Sequence, residues 1–487
     1  MTHQLSPVVP TPAALPRRKA PRVAALIATL IISILSFQLN ASLFSAALPA
    51  IAAHFQESTE NVAKVQSLFF LTSAVLGMAF SRWSDFLGRR RTLLIVLALM
   101  LGGTVLCLLA PNLTVLLIGR VLQSATSATF TISFLLLSER FSKRLFGISV
   151  GIISAVNGGI GGLDGFLGGF ITDTVGWQFL FVVVLAMGVA ALVCVAVVVP
   201  KGSARAREGR MDWWGAAALG TFLVLLSNLI GQASAAGWAD AWTLGYLAGT
   251  VAAGLAFVAV EKRTSHPLIA IGQLRSRQVW PVLASTVLTL AGIFSALNFT
   301  VILLSQDAKA GYGLSASMSA LLYLTPTAFV GVIAAVFSGW FAQRIGWFTA
   351  LRISSGLIVV AAVAVAIFAA DRWMVFALLI VMGVLYLGQF QSTVSGIAVL
   401  NSPKSAPGSV PGLNGACFGI GASIGIAMVA PAVATGTIAG YQTALWISAG
   451  LALASFGASL ILRPAPGAAG HGSSEAAAPG RAAVASH

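Results

Sequence analysis

A single carboxylate, Asp164, lies within the glycine-rich stretch GGIGGLDGFLGG at residues 158–169. The run around it, from about 147 to 171, is otherwise apolar. An acidic side chain in such a setting needs a charged partner, a water-filled cavity or a proton. Reversible proton binding is therefore the chemistry that this residue could provide here.

The glycines around Asp164 predict a helix with two distinct faces. At 100° per residue, one face carries Asn157, Gly161, Asp164 and Gly168. The neighbouring ridge has glycine at every fourth position, at Gly158, Gly162, Gly165 and Gly169. Small ridges allow helix backbones to approach closely in lipid. The alternative is that the glycines only pack and that Asp164 belongs to a structural ion pair.

The composition indicates what kind of scaffold positions this stretch. The 487 residues are 58% hydrophobic and only 8% charged, whereas soluble domains carry about 25% charged residues. We therefore expect a multi-pass membrane protein. The net charge of +15 does not indicate a nucleic-acid partner, because the basic residues are spread between apolar runs. The five histidines lie outside those runs, so we expect neither a metal site nor a cofactor.

Apolar runs of about 20 residues predict transmembrane helices, and the absence of alternation in them disfavours transmembrane strands. We predict fourteen spans, at 23–50, 62–81, 92–110, 113–138, 148–170, 179–199, 213–232, 242–260, 279–303, 315–341, 351–370, 373–399, 408–432 and 441–462. The Pro/Ala/Gly-rich ends, 1–20 and 464–487, are expected to be disordered tails.

The distribution of positive charge predicts the orientation. Of the 28 Lys and Arg residues, Arg120 falls deep inside a span, and Lys64, Lys309 and Arg372 fall in loops or at a span end on one side. All the others fall on the side of the N-terminus. By the positive-inside rule both termini are expected in the cytoplasm. The expected location is the cell membrane, which is the inner membrane in a cell that has two.

The predicted orientation places Arg120 and Asp164 at the same depth. They lie in consecutive antiparallel helices, each about 10 Å below the outer end at roughly 1.5 Å per residue. We hypothesise that the two side chains approach each other, directly or through water. The alternative is that each faces a cavity independently.

The sequence also predicts an internal repeat. Without helices seven and eight, two six-helix halves remain, and the loops SRWSDFLGRRR (81–91) and SGWFAQRIGWF (338–348) correspond. The fifth helix and its counterpart at 408–432 are both rich in glycine. Duplicated bundles place a binding site between the halves near the bilayer centre. We expect tails at 1–20 and 464–487, bundles at 21–200 and 263–463, and two linking helices at 201–262.

Several motifs resemble the major facilitator superfamily, in particular its fourteen-helix drug:proton antiporter branch. The loop 81–91 resembles the pattern G-x-L-x-D-x-x-G-R-R, and LIGRVLQSATSA (117–128) resembles the fourth-helix pattern R-x-x-Q-G. The stretch MDWWGAAALG (211–220) with EKRTSHPL (261–268) resembles the two extra helices of that branch. The resemblance implies an all-α polytopic membrane fold of two six-helix bundles plus two extra central helices.

The sequence departs from the branch at several positions, among them Gln343, where an acid is common. In LNASLFSAALP (39–49), Asn40 occupies the place of an expected acid, and the fifth helix lacks the usual proline after Asp164. The resemblance implies a substrate cavity lined by Asn40, Gln123, Asn157, Asn298 and Gln389. It implies a cytoplasmic gate at Asp85, Gly88, Arg89 and Arg90; the alternative for the gate is topology charge on a solvated turn.

Taken together, these features predict a secondary active transporter rather than an enzyme. Asp164 and Arg120 are the expected proton-coupling residues. The expected partners are a small molecule, a proton and the lipid bilayer, and the protein is expected to be a monomer. Export of an amphipathic drug or metabolite is the leading expectation. The alternative is a proton symporter that imports a small organic anion or vitamin-like compound, because Asn40 and the missing proline depart from the exporter pattern.

Overall fold

The computed structural model describes residues 20–142, 145, 149, 152–153, 163–201, 211–264, 276–401 and 409–462. All regular structure within these ranges is helical, as expected for a chain whose backbone must satisfy its own hydrogen bonds in lipid. Thirteen helices there are long and apolar enough to cross a membrane. They match thirteen of the fourteen predicted spans; the remaining one, 148–170, is described mainly from residue 163.

The first half begins with a broken helix and ends with a continuous one. In chain order its helices are α1 (Ala20–Ser42), α2 (Leu48–Phe55), α3 (Thr59–Leu87), α4 (Arg89–Leu108), α5 (Leu113–Gln123), α6 (Ala128–Arg140), α7 (Asp164–Thr174) and α8 (Phe179–Val198). A 3-10 turn, Ser124–Ser127, joins α5 to α6.

Two further helices follow, and then the second half. The two linking helices are α9 (Trp213–Ala236) and α10 (Ala241–Arg263). The helices of the second half are α11 (Trp280–Thr289), α12 (Val301–Gln306), α13 (Ala316–Tyr323), α14 (Thr325–Ile345), α15 (Trp347–Ile367), α16 (Arg372–Met382), α17 (Gln391–Leu400), α18 (Ser409–Val433) and α19 (Ile438–Ile461). Segments of π-helix, Leu290–Phe294, Ala296–Thr300 and Gly383–Phe390, lie within the membrane helices of this half.

Most contacts between the halves come from two helix pairs: α3 packs against α18, and α7 packs against α13. The extra helix α9 contacts both α3 and α18, so it covers the seam between the halves on one side. Among the described helices, α10 packs mainly on α9 and is largely exposed to the surroundings. A lipid-facing position suits its exposed apolar side chains, such as Leu244 and Leu255.

The tight turns after α3 and α14, the second membrane-spanning helices of the two halves, support the internal repeat. Gly88 has φ 95° and ψ 142° between α3 and α4, and Gly346 has φ 90° and ψ 138° between α14 and α15. Residues with a Cβ rarely adopt this positive φ. The two glycines therefore make the same turn at equivalent places, as the alignment of the two loops predicts.

The first predicted span, 23–50, is not one helix. The α-helix ends at Ser42, residues 43–47 form turns, and α2 begins at Leu48. Pro49 lies in the first turn of α2, where its missing N–H leaves no helical bond unmade, whereas inside a continuous helix it would remove one. The break places the end of α1 beside the first residue of α7.

Candidate functional site

Asp164 is the first residue of α7, and its side chain is only 2% exposed. Its carboxylate lies against α1. The Ser42 hydroxyl contacts Oδ2, and Gln38 Nε2 donates to the same oxygen at 3.5 Å. The other oxygen, Oδ1, accepts the backbone N–H of Gly165 at 2.7 Å. The buried acid is therefore held by uncharged donors.

Arg120 is fully buried in α5 and binds carbonyl oxygens from three helices. Its Nε donates to the Val65 carbonyl oxygen at 3.1 Å. One terminal nitrogen donates to the Gln123 side-chain oxygen at 3.0 Å and to both oxygens of Asn40, the backbone one at 3.1 Å. Gln123 in turn donates to Thr104 Oγ1 at 2.9 Å. These contacts fix the guanidinium between α1, α3 and α5.

Two aromatic rings complete the surroundings of Arg120. The guanidinium carbon lies 4.6 Å from the ring centre of Phe44 and 4.2 Å from that of Phe69. Such contacts favour a cation, and more strongly where water is excluded. Carbonyl dipoles and aromatic faces thus surround a charge for which the described hydrogen bonds and ion pairs provide no carboxylate.

The hypothesis of a direct pair between Arg120 and Asp164 is wrong for this structure, because α1 lies between them. Gln38 and Ser42 are four residues apart and face Asp164 together. Asn40 lies midway between them, on the opposite side of the helix, and faces Arg120. Each charge therefore has its own partners on the same turn of α1. Packing around a third helix could not be deduced from the depths of α5 and α7 alone.

The glycines of α7 lie where other backbones approach it. A Cβ added to Gly168 would lie 2.2 Å from the carbonyl oxygen of Leu43, and one added to Gly169 would lie 2.4 Å from that of Ala316. At Gly165 the nearest atom would be Leu324 Cδ1, at 2.8 Å. Helix α7 is thus wedged between the break after α1 and the second half. The predicted residues Asn157, Gly158, Gly161 and Gly162 lie outside the described residues.

One acid that the sequence analysis did not single out connects the halves. Asp173, near the C-terminal end of α7, accepts the backbone N–H groups of Ala316 at 3.2 Å and Ser317 at 2.7 Å, at the start of α13. Partial burial tends to raise the pKa of Asp173, but hydrogen bonds from Ser317, Ser315 and Ala316 outweigh it and hold the pKa below its usual value. The ionised carboxylate therefore joins the C-terminal end of α7 to the N-terminal end of α13. Its position at a helix end was the available signal, but the partner lies over 140 residues away.

Asn298 and Gln389, predicted to line the cavity, both lie in π-helical segments and are half-buried. Asn298 Nδ2 donates to the Phe294 carbonyl oxygen at 3.4 Å, and Gln389 Nε2 contacts Thr393 Oγ1 at 3.2 Å. These are contacts within one helix. Segments of π-helix occur often at functional sites, and they give both amides positions that a regular helix would not.

The predicted cytoplasmic gate forms a charged cluster within the first half. Arg89 lies 2.6 Å from Asp85 Oδ1 and 2.9 Å from Glu139 Oε1 at the end of α6. Arg90 donates to the Ala196 carbonyl oxygen at 2.6 Å, and Gly88 makes the turn between the two helices. These contacts tie α3, α4, α6 and α8 together. Glu139 was not predicted, although its place at the end of a predicted span, beside Arg140, was the available signal.

The described residues contain no group of three or more His, Cys, Asp or Glu side chains that could hold a metal ion. Asp164 and Arg120 are the main charged side chains that the described structure buries against α1. The arrangement can therefore bind a proton at Asp164 and hold a fixed positive charge at Arg120. Their contacts on α1, Ser42 and Asn40, are two residues apart.

The model of the Major Facilitator Superfamily matches residues 30–426. The chain belongs to this superfamily. Its relatives include the uridine/deoxyuridine transporter of Lactococcus lactis subsp. cremoris, 30% identical over 412 residues that cover 82% of this chain and 85% of that protein. The tetracenomycin C resistance and export protein of Streptomyces glaucescens is 28% identical and is matched over 82% of this chain and 73% of its own length.

Solved structures agree with the fold. The peptide transporter POT in complex with sulfate superposes with a TM-score of 0.64 at 14% identity, covering 92% of this chain and 98% of that one. At this identity the likeness concerns the fold alone. Family and fold together make the chain a multi-pass membrane transporter and not an enzyme.

Proposed function

We propose that the chain is a proton-coupled secondary transporter that works by alternating access, with Asp164 as the proton-binding residue. The setting of Asp164 carries this proposal. The side chain is 2% exposed, and the donors around it are a hydroxyl, an amide and a backbone N–H. An acid held in this way can gain or lose a proton without breaking an ion pair. Intramembrane acids of this kind typically belong to ion pathways.

The position of Asp164 close to the interface between the two halves supports the same proposal. The next residue, Gly165, packs against Leu324 of the second half, and Gly168 packs against Leu43 at the end of α1. In inverted-repeat transporters the halves rock around a site at their interface. Rocking would then open the surroundings of Asp164 first to one side of the membrane and then to the other.

Arg120 is proposed to provide the fixed positive end of the substrate site. It remains protonated at any physiological pH, and its present partners are carbonyl oxygens of Asn40, Val65 and Gln123. A carbonyl or another electron-rich group of a substrate could replace one of them as an acceptor. Asn40, where the drug:proton antiporter pattern has an acid, binds Arg120 without neutralising its charge.

We propose that the cargo is an uncharged polar solute of the nucleoside type, taken up together with a proton. The uridine/deoxyuridine transporter of L. lactis supports this, since it is 30% identical over most of both chains. The amide side chains of Asn298 and Gln389, which are half-buried and whose described bonds stay within their own helices, could provide donors and acceptors that a nucleobase requires. With one described acid well inside the bundle, the site offers little to attract a cationic compound.

Export of an amphipathic compound is the second candidate. Support comes from the tetracenomycin C exporter and from the quinolone resistance protein NorB of Staphylococcus aureus, 23% identical over 89% of this chain. Two extra helices, α9 over the seam and α10 packed on it, also support the fourteen-helix antiporter branch. For either direction we propose a monomer with both termini in the cytoplasm and a cytoplasmic gate at Asp85, Gly88, Arg89 and Arg90.

The test uses the purified full chain in proteoliposomes. We expect radiolabelled uridine to accumulate when the outside is more acidic than the inside, and accumulation to stop when a protonophore collapses the gradient. Asp164→Asn should remove the gradient-driven part, while Glu57→Gln, an exposed acid at the end of α2, should keep it. Ethidium efflux from the same vesicles tests the second candidate.

The outcomes separate the parts of the proposal. Gradient-driven transport of either compound that persists in Asp164→Asn would contradict the role of Asp164. Efflux of ethidium without accumulation of uridine would replace uptake by export and leave the role of Asp164 intact.

A further inference from the structure

The Ser42 hydroxyl has two hydrogen-bond partners that compete for its proton. Ser42 Oγ lies 2.8 Å from the backbone carbonyl oxygen of Gln38 and also contacts Asp164 Oδ2. A carbonyl oxygen can only accept, so the first contact requires the Ser42 proton. A serine hydroxyl has one proton to donate and two lone pairs that accept.

The two oxygens of Asp164 are not equivalent. Oδ1 accepts the Gly165 backbone N–H at 2.7 Å and must keep a lone pair for it. Oδ2 faces Ser42 Oγ, which can accept as well as donate, and Gln38 Nε2 at 3.5 Å. A proton bound to Asp164 therefore sits on Oδ2, where it can point at the Ser42 oxygen.

From this geometry we propose that Ser42 is the positioning residue for the transported proton. The inference rests on the proposed role of Asp164. When Asp164 is protonated, Oδ2 donates to Ser42 Oγ, and Ser42 donates to the Gln38 carbonyl oxygen. When Asp164 is ionised, the Ser42 hydroxyl turns and donates to Oδ2, and the Gln38 carbonyl keeps only its helical partner. Ser42 retains its own proton throughout; the transported proton comes from water and returns to water.

Within the described residues, the helices packed against α7 bring no charged side chain to this switch, and Arg120 lies on the opposite side of α1. The helices packed against α7 are α1, α8 and α13. Their sequences over residues 23–42, 179–198 and 316–323 contain no Lys, Arg, His, Asp or Glu. The hydroxyl direction therefore follows the protonation of Asp164 rather than that of a neighbour.

The position of Ser42 gives the switch a mechanical consequence. Ser42 is the last residue of α1, and the next residue, Leu43, packs its carbonyl oxygen against Gly168 of α7. A change in the hydrogen bonds of Ser42 therefore alters the packing at the break between α1 and α2, one helical turn from Asp164. Gain or loss of the proton alters how firmly α1 and α7 are joined.

Infrared difference spectroscopy of the purified full chain tests this with protons alone. Lowering the pH should produce a carboxylic-acid C=O band, and the band that disappears in Asp164→Asn belongs to Asp164. In Ser42→Ala this band should move to higher wavenumber, because the acid has lost its acceptor. In Ser42→Thr, which retains a hydroxyl, it should stay near the wild-type position.

Ser33→Ala is the matched control. Ser33 makes the same type of bond, to the Thr29 carbonyl oxygen at 2.9 Å, in the same helix but without an acid beside it, so its band should be that of the wild type. Net uridine accumulation by Ser42→Ala should fall about fivefold, the effect of losing one buried hydrogen bond, with exchange of internal for external uridine much less affected.

The results distinguish this inference from the proposed function. If Asp164→Asn retains the band, Asp164 is not the titrating group and the proposed function fails with it. If Asp164→Asn loses the band but Ser42→Ala leaves it unmoved, the role of Ser42 is overturned and that of Asp164 remains.

Discussion

Helix α7 carries two acids nine residues apart, Asp164 and Asp173, whose surroundings differ in every respect that matters for chemistry. Asp164 is buried and bonded to side chains of α1 within its own half. Asp173 is largely exposed and bonded to backbone N–H groups of α13 in the other half. The residue type is the same, so burial and the origin of the donors decide the role.

The comparison suggests a division of labour along one helix. The partners of Asp164 can be satisfied by the acid in either protonation state, which suits a site that exchanges protons. The backbone N–H groups of Ala316 and Ser317 at Asp173 can only donate, which favours the ionised carboxylate and suits a permanent link. Between the two acids, Gly168 and Gly169 bring both neighbouring backbones into contact with α7. A movement of α7 would affect both acids.

The largest effect is expected from Asp164→Asn. The amide cannot exchange a proton, so gradient-driven accumulation in proteoliposomes should fall to background while the protein remains in the membrane. Asp173→Asn should change the transport rate and keep its dependence on the proton gradient. Equal loss of gradient dependence in both variants would break the distinction between the two acids.

A smaller but clear effect is expected from Gly168→Ala. The new methyl group would lie 2.2 Å from the Leu43 carbonyl oxygen, so α7 must shift away from α1, at a cost of about 1–3 kcal/mol for overpacking. The midpoint of thermal unfolding in detergent and the uridine accumulation rate should both decrease. Gly102→Ala is the control, since nothing lies within 4 Å of its added Cβ in α4. A Gly168→Ala variant as stable and active as Gly102→Ala would contradict the close approach of α7 and α1.

The smallest effect is expected from Asp173→Asn on the outer ends of the halves. Loss of the negative charge weakens the bonds to α13 and should increase the outward-open population about two- to threefold, a small factor because the site is exposed. Spin labels at Val175→Cys and Lys309→Cys, both exposed and on opposite halves, would report this as a larger share of long distances. Asp371→Asn is the matched control, because Asp371 caps α16 within its own half, accepting from Trp373 N at 2.9 Å and Met374 N at 3.2 Å.

The same labels give a pH test with a defined sign. The pKa of Asp173 is lowered when its bonds to Ser317 and Ala316 are formed, despite the opposing effect of partial burial. The link is therefore fully present above the ordinary pKa of an aspartate and is lost as the pH falls through the lowered value. Acidification below that value should increase the long distances in the wild type but not further in Asp173→Asn. An unchanged wild-type distribution would show that Asp173 does not hold the outer ends together.

Much of the fold could be predicted from the sequence because it depends on local patterns. Apolar length located the membrane helices, and the glycines in corresponding loops, Gly88 and Gly346, indicated the repeat that their shared φ and ψ support. Asp164 was identifiable as an acid within a span from its neighbours alone. The break after Ser42 was missed, because Pro49 was included in a hydrophobic run rather than taken as the start of a new helix.

The amino-acid sequence by itself determined that this chain crosses the membrane many times and that it buries Asp164 and Arg120, because hydrophobic length and the cost of a charge in lipid are properties of a short segment. Only the tertiary structure decided what each charge meets. Helix α1 separates Asp164 from Arg120 and presents Ser42 to one and Asn40 to the other, and α13 brings its first N–H groups to Asp173. Those contacts join residues more than 75 positions apart, so they depend on how whole helices pack and not on any pattern within one of them.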